Sequence, residues 1–169
     1  MNQTWDSTNL QSASLHRRVT QIHLCCLRDG TNPANHWVIH LELAGGSTSV
    51  KLDMTARYPP DLQIGRVELA TRNFPVTTNA IQTWEFPVLT NVTVQGIIDM
   101  LRSHGFEKYK FTPEIEGCRW WMYTLMSALE SKGHLRTGTK GEVWTYISRV
   151  WHDAQSYEPR RVQQGVFYQ

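Results

Sequence analysis

Two β-strand patterns follow each other in His36-Trp-Val-Ile-His-Leu-Glu-Leu-Ala44 and Ser49-Val-Lys-Leu-Asp-Met54, separated by Gly45-Gly-Ser-Thr48. Strict alternation of polar and apolar residues in the second run is typical of a strand with one face in water. The first run is rich in β-branched and aromatic residues, and the glycine pair fits a tight reversal of the chain. These 19 residues therefore predict a β-hairpin.

Further strands are predicted on both sides of this hairpin. Val19–Leu27 is rich in β-formers and ends at the turn-rich segment 29–35, while Gly65–Thr71 alternates again after a pair of prolines. Segment 73–87 holds prolines and polar spacers, so we expect an extended loop with a short strand at 81–86. Residues 164–168 are expected to return as a final edge strand.

Helical spacing is confined to the second half of the chain. Thr93 is expected to cap a helix over Val94–Ser103. A second helix over Gly117–Glu130 is apolar nearly all round, which predicts a place in the core. A third is predicted from Gly141 to about residue 155. Strands first and helices later indicate an α+β fold, an antiparallel sheet of four or more strands with two to three helices.

The size and charge of the chain limit its organisation and partners. With 169 residues we expect a flexible extension at 1–17 and one α+β domain at 18–169. The net charge is only +2 and no five like charges occur together, so we expect no nucleic-acid partner. The sequence is also compatible with a homo-oligomer.

We expect the protein to be cytoplasmic and to lack a membrane-spanning segment. No apolar stretch approaches the roughly 18 residues that a spanning helix needs, and the first residues resemble no signal peptide. Three cysteines, two of them adjacent at Cys25 and Cys26, cannot form a disulfide framework. We therefore expect free thiols in a reducing compartment.

Motifs for cofactors and metals are missing from the sequence. It contains no dinucleotide or phosphate-binding glycine motif and no zinc signature. The side chains of Cys25 and Cys26 are adjacent in a strand and point to opposite faces, so they cannot ligate one metal together. We expect no cofactor and no metal, whereas seven Trp, six Tyr and five Phe suit an apolar pocket for a small-molecule substrate.

Cys118 and His36 are the residues with the most suggestive settings for chemistry. Cys118 lies in the first turn of the predicted core helix, where the helix dipole and unpaired N–H groups favour a thiolate and an oxyanion. His36 begins a strand, where its ring is expected at the rim of the sheet and can serve as a base. The plainer interpretation is that Cys118 is a small core residue and His36 an ordinary strand end.

The same residues resemble the circularly permuted papain-like proteins of the lecithin retinol acyltransferase group. In these, a His in a His-Trp-type motif begins a strand and a later Cys begins a core helix, as His36-Trp37 and Gly117-Cys118-Arg-Trp do here. The resemblance spans roughly residues 34–133 and implies a cysteine-dependent acyl hydrolase or acyltransferase. It departs from the group at Gly117, where Asn is common. It also departs at the third polar residue of the catalytic set. This residue is commonly a His in the group, and Asp53 is the candidate for it here.

Further residues are predicted to bind the substrate of this pair. His40 lies on the same face of its strand as His36. Trp37, Trp121 and Tyr123 are large rings close in sequence to the two proposed catalytic residues, although Trp121 also fits a core position. The expected site therefore combines Cys118, His36 and Asp53 as catalytic residues with His40, Trp37, Trp121 and Tyr123 as substrate contacts.

Two other functions are compatible with the sequence. The segments His-Trp, Gly-Cys-Arg-Trp-Trp and Gly-x-Phe-Tyr also resemble small uncharacterised proteins of filamentous fungi. Some small cofactor-free fungal proteins serve natural-product pathways, which suggests a cyclase or isomerase with an aromatic-lined pocket. A non-catalytic binding module is the third alternative, for which neither Cys118 nor His36 would be expected in a concave pocket.

Overall fold

The computed structural model describes residues 3–30 and 33–169. This part of the chain folds into a six-stranded sheet, two small two-stranded sheets and three α-helices. In chain order the elements are β1 (Trp5–Asn9), β2 (Val19–Leu27), β3 (His36–Leu43), β4 (Ser49–Thr55), β5 (Arg66–Arg72), β6 (Gln82–Pro87), α1 (Val94–Ser103), β7 (Tyr109–Lys110), α2 (Cys118–Ser131), α3 (Thr139–Ile147), β8 (Arg149–Asp153), β9 (Ser156–Pro159) and β10 (Val166–Phe167). The α+β class predicted from the sequence is confirmed.

The large sheet is mixed rather than antiparallel. Its order is β1-β5-β4-β3-β2-β6, and every neighbouring pair is antiparallel except β1 and β5, which are parallel. No regular element is predicted before residue 18, because Trp5–Asn9 is polar and lacks a β pattern. Pairing with β5 makes this segment a strand, and the guanidinium of Arg102 stacks 4.0 Å from the ring of Trp5.

One face of the sheet carries the core. Alternate residues of the central hairpin are buried against the helices, and Ile39 lies opposite Leu52 in the register of β3 and β4. α2 packs directly on these two strands, as its nearly all-round apolar sequence predicted. α1 spans the predicted residues and begins with the predicted cap, where the Thr93 hydroxyl accepts a hydrogen bond from Gly96 N–H at 3.1 Å.

The third helix is shorter than predicted. α3 ends at Ile147, and the following residues form the β8–β9 hairpin. A contact distant in sequence holds this hairpin, since the side-chain amide of Asn35 donates to Trp151 O at 3.0 Å and accepts from Trp151 N–H at 2.8 Å. Val150 and Trp151 are buried, but tertiary hydrogen bonds make their backbone a strand instead of the predicted helix.

The remaining strand predictions agree with the structure. The short strand expected within 81–86 is β6, which forms an edge of the sheet next to β2. The final strand is β10, which pairs with β7 and brings the C-terminal segment beside the start of α2. None of the helices in the described residues has the length and apolar character required to cross a membrane.

Candidate active site

A cavity of about 230 Å³ opens where the end of the β3–β4 hairpin meets the first turn of α2. Both residues of the proposed pair contribute to its wall. The lining consists of Asp29, His36, Met54, Thr55, Ala56, Arg57, Phe111, Ile115 and Cys118. Cys118 is 5% exposed, which leaves its sulfur with access to the cavity but almost none to bulk water.

Asp53 holds the imidazole of His36 from the neighbouring strand. His36 Nε2 and Asp53 Oδ1 are 2.7 Å apart, and the Asp53 side chain is only 6% exposed. The second carboxylate oxygen lies 3.2 Å from Nζ of Lys51. The pairing of β3 with β4 brings these groups together, so the carboxylate suggested from the sequence as a partner of His36 occupies that position.

The surroundings of His36 favour its charged form. Burial alone would lower the pKa of this imidazole, but hydrogen bonds and charge interactions with Asp53 and Cys118 outweigh it and raise the pKa to about 10. The pKa of Asp53 is lowered, because interactions with His36 and Lys51 overcome the opposing effect of burial. At neutral pH the ring is therefore an imidazolium held between a carboxylate and a sulfur.

The ring of His36 interacts with both proposed partners. Nε2 donates to Asp53, and the interaction with Cys118 also favours the charged ring. Cys118 is the first residue of α2, where backbone N–H groups of the first turn have no helical acceptor. The site thus places a sulfur, a proton donor and backbone N–H groups within one small volume.

Tyr109 explains why a glycine precedes the cysteine. Its hydroxyl donates to Gly117 O at 2.7 Å and accepts from Gly165 N–H at 2.9 Å, which ties the start of α2 to the C-terminal segment. Gly117 has φ +145°, and a Cβ there would lie 2.7 Å from the Tyr109 hydroxyl oxygen. A larger residue such as Asn, common at this place in the resembling group, is therefore excluded here.

Backbone strain is concentrated around the same cavity. Among the described residues, three non-glycine residues have positive φ: Asn35 at 66°, Arg57 at 75° and Ile115 at 59°. Arg57 and Ile115 line the cavity, and Asn35 directly precedes His36. Such conformations cost energy and are over-represented at functional sites, and an isoleucine at positive φ is a particularly unfavourable case.

The four predicted substrate contacts do not line this cavity. Trp37 is a buried core residue that stacks on Trp84, with ring centroids 5.5 Å apart. Trp121 is also buried, and its indole N–H donates to Phe106 O at 2.7 Å. Both follow the ordinary tendency of large rings to fill a core.

The other two predicted contacts line separate cavities. Tyr123 packs against Trp144 in an open aromatic groove between α2 and α3. His40 lies in a cavity on the opposite face of the sheet. Of the two histidines of β3, only His36, at the start of the strand, lines the cavity beside Cys118.

Sequence reasoning missed the residues that shape the cavity wall. Arg57 follows β4 and precedes the proline pair, so it resembled an ordinary surface residue, and Phe111 and Ile115 belong to an irregular segment before α2. Their approach depends on how that segment crosses the hairpin, including the hydrogen bonds from Gly65 N–H to Tyr109 O and from Phe111 N–H to Gln63 O. No local pattern encodes contacts of this kind.

The other cysteines have a different environment. Cys25 and Cys26 are buried on opposite faces of β2, as their adjacent positions predicted. Burial raises the pKa of Cys25 to about 12 and that of Cys26 further. Neither lines the cavity, so Cys118 is the thiol with both a histidine partner and access.

Comparison with known proteins identifies a family but no activity. A family model described as a domain of unknown function (DUF7770) matches residues 22–168. This match includes all three α-helices, the strands from β3 onwards, most of β2 and every residue of the cavity wall, but not β1. No curated protein and no solved structure matches the chain.

Proposed function

This chain belongs to the DUF7770 family, and we propose that it is a cysteine-dependent acyl hydrolase or acyltransferase that uses Cys118, His36 and Asp53. The observation that carries the proposal is the position of the His36 ring between the carboxylate of Asp53 and the sulfur of Cys118, at the wall of one cavity. A nucleophile, a proton carrier and an orienting group in this order form the minimal machinery of covalent acyl transfer.

The first half of the reaction forms an acyl-enzyme. With the proton already on His36, the thiolate of Cys118 attacks the acyl carbonyl carbon, and the carbonyl π electrons move to the oxygen. Backbone N–H groups of the first turn of α2 stabilise this oxyanion. When the intermediate collapses, the bond to the leaving group breaks, and His36 gives that group its proton.

The second half regenerates the thiol. Water or an acceptor alcohol, amine or thiol attacks the thioester carbon and gives its proton to the His36 ring. The carbon–sulfur bond then breaks, and Cys118 leaves as a thiolate beside the imidazolium. Asp53 keeps the ring orientation and stabilises its charge in both halves. Access of water to the thioester decides between hydrolysis and transfer.

The arrangement supports the resemblance to the permuted papain-like proteins. In that group a third polar residue stands on the strand next to the one that bears the histidine. Asp53 on β4 has this relation to His36 on β3. A cavity of about 230 Å³ lies below the usual range of about 300–1,000 Å³ for ligand pockets, which favours a small acyl group over a whole lipid.

The state of the three thiols supports a cytoplasmic location. Cys25, Cys26 and Cys118 are all free cysteines. A proposed catalytic thiol needs a compartment that keeps it reduced, and the cytoplasm provides one.

The pH dependence of alkylation tests the proposed pair. We expect iodoacetamide to label Cys118 before Cys25 and Cys26 at neutral pH, because Cys118 lines the cavity and burial raises the pKa of the other two thiols. Labelling of Cys118 should be slower in His36→Ala, and its fall between pH 8 and pH 6 should be steeper, because the variant lacks the charged ring beside the sulfur. Peptide mass spectrometry measures each cysteine separately.

Matched controls distinguish activation from access. His152→Ala removes an exposed histidine that does not line the cavity and should leave the labelling profile unchanged. If wild type and His36→Ala show the same pH dependence, the activated pair does not exist. Acyl transfer itself is tested with p-nitrophenyl butyrate, for which we expect a butyryl adduct on Cys118 that Cys118→Ala lacks.

The aromatic groove between α2 and α3 favours one alternative function. Trp120, Tyr123 and Trp144 form a cluster with ring centroids 5.1–6.4 Å apart, and Glu130 and Lys140 stand at its wall. A cofactor-free cyclase or isomerase would use such rings to fold an apolar substrate. In that case Cys118→Ala would keep full turnover, whereas Trp144→Ala would lose it.

A further inference from the structure

A second cavity, on the face of the sheet opposite α2, has the chemistry of an anion site. It measures about 270 Å³ and lies between the outer face of β2, β3, β4 and β5 and the segment that follows β5. Its lining consists of Leu27, Val38, His40, Lys51, Arg72, Phe74 and Thr77. We propose that this cavity binds a small carboxylate that bears an apolar or aromatic group.

The charge of the wall is the first argument. Lys51 and Arg72 both line the cavity, and none of the seven lining residues is acidic. Within the described residues, the guanidinium of Arg72 has no hydrogen bond or ion pair, although its residue is partly buried. A guanidinium with an open fork and an adjacent ammonium is well suited to receive a carboxylate in a bidentate manner.

The histidine of the wall is buried and uncharged. Burial, together with Lys51, His23 and Arg72, lowers the pKa of His40 to about 4. The Ser49 hydroxyl donates to Phe74 O at 2.7 Å, so the 3.1 Å contact between His40 Nδ1 and Ser49 Oγ requires a proton on Nδ1. Lys51 and Arg72 therefore supply all the positive charge of the wall.

Apolar side chains form the rest of the cavity wall and favour a ligand that has an apolar group beside its carboxylate. Leu27, Val38 and the Phe74 ring form the remainder of the wall, and Phe74 packs 5.8 Å from the centroid of His40. Such a surface contributes little to binding of inorganic phosphate, which has no apolar part to bury. A carboxylate joined to a ring or short alkyl chain fits both halves of the cavity.

Lys51 connects this cavity with the proposed catalytic residues. Its Nζ lies 3.2 Å from Asp53 Oδ2, and Oδ1 of the same carboxylate is bonded to His36. A bound anion that draws Lys51 away would leave the Asp53 carboxylate to His36 alone. This connection rests on the proposed function of Cys118, whereas the binding site does not.

Binding is tested with benzoate as the probe, by calorimetry and by the NMR signals of the His40 ring. We expect saturable binding to the full chain, and binding at least about ten-fold weaker in Arg72→Gln, because a charged hydrogen-bonding partner is lost. Arg66→Gln is the matched control, since it removes the same charge from the same strand outside the cavity. Urea unfolding checks that both variants are folded.

Comparison of benzoate with other ligands identifies the chemical groups that the cavity recognises. Neutral benzamide should bind at least about ten-fold more weakly than benzoate, and so should inorganic phosphate. Equal binding of benzamide, stronger binding of phosphate, or unchanged benzoate binding in Arg72→Gln would overturn the proposal. The measurements are repeated in Cys118→Ala, where binding should persist, so the proposed enzyme activity and this site fail independently.

The connection through Lys51 has its own test. Saturating benzoate should change the rate of Cys118 alkylation at pH 6 by at least about two-fold, because it alters the field of Asp53 at His36. The change should disappear in Arg72→Gln. An unchanged rate in the wild type under saturating benzoate would overturn the connection.

Discussion

Replacement of Asp53 by Asn removes the charge that holds His36 and keeps the shape of the side chain. The amide presents an oxygen and an NH₂ group where the carboxylate now accepts from His36 Nε2 at 2.7 Å and from Lys51 at 3.2 Å. We expect the imidazolium to lose its largest source of stabilisation, because the hydrogen bond with Asp53 contributes most among the interactions that raise the pKa of His36.

The size of the effect follows from the shift in proton affinity. A rise of the His36 pKa from 6.5 to about 10 corresponds to on the order of 5 kcal/mol, at about 1.4 kcal/mol per tenfold change. Interactions with Cys118 supply part of this free energy, and interactions with Asp53 supply the rest. We therefore expect Asp53→Asn to lower the free energy of unfolding by about 3–4 kcal/mol at pH 6, within the range of about 3–5 kcal/mol for broken buried pairs.

The stability that the charged His36 ring contributes is lost at high pH and not at low pH. His36 has a higher pKa in the folded protein than in the unfolded chain, so its contribution is complete below about pH 6.5 and is lost as pH rises through about 10. The stability difference between wild type and Asp53→Asn should therefore shrink between pH 6.5 and 10. Urea unfolding at several pH values measures it.

An NMR titration of the His36 ring gives the direct readout. In the wild type the ring should stay protonated at pH 8, and in Asp53→Asn its midpoint should fall by at least about one pH unit. Asp99→Asn is a matched control, because that exposed carboxylate accepts a hydrogen bond from Gln95 on the same helix and makes no ion pair with any described residue. A wild-type midpoint near 6.5, or one unchanged in Asp53→Asn, would refute this account of the site.

Three substitutions test how the site is supported, each by the free energy of unfolding in urea. Gly117→Ala should cost about 2–4 kcal/mol, since its Cβ would overlap the Tyr109 hydroxyl at a positive φ; Gly141→Ala, with open space, should cost under about 1. Asn35→Ala should cost about 2–3 kcal/mol by loss of both hydrogen bonds to Trp151, and unchanged stability would show that the clamp is dispensable. Arg119→Met should cost about 3–5 kcal/mol because one buried and two partly buried carbonyls lose their donor; a cost below about 1 contradicts this role.

The candidate site was partly predictable because two of its members carry local signals. A cysteine after a glycine at the start of an apolar run indicates a helix N-terminus, and a histidine that begins a β pattern indicates a strand end. Asp53 was predictable only as a polar residue on the adjacent strand, since its distance to His36 depends on strand register. Trp37 and Trp121 lie in the core and do not line the cavity, and the sequence indicated this burial only for Trp121.

The sequence by itself determined the elements whose burial repeats with a local period. Alternation specified β4, and apolar spacing specified α1 and α2, because each pattern reports a face that must leave water. Tertiary structure alone decided where those patterns were weak or incomplete: polar β1 became a strand by pairing with β5, and the segment after Ile147 became a hairpin held by Asn35. Both depend on hydrogen bonds between residues far apart in the chain, whose geometry no local pattern of side chains records.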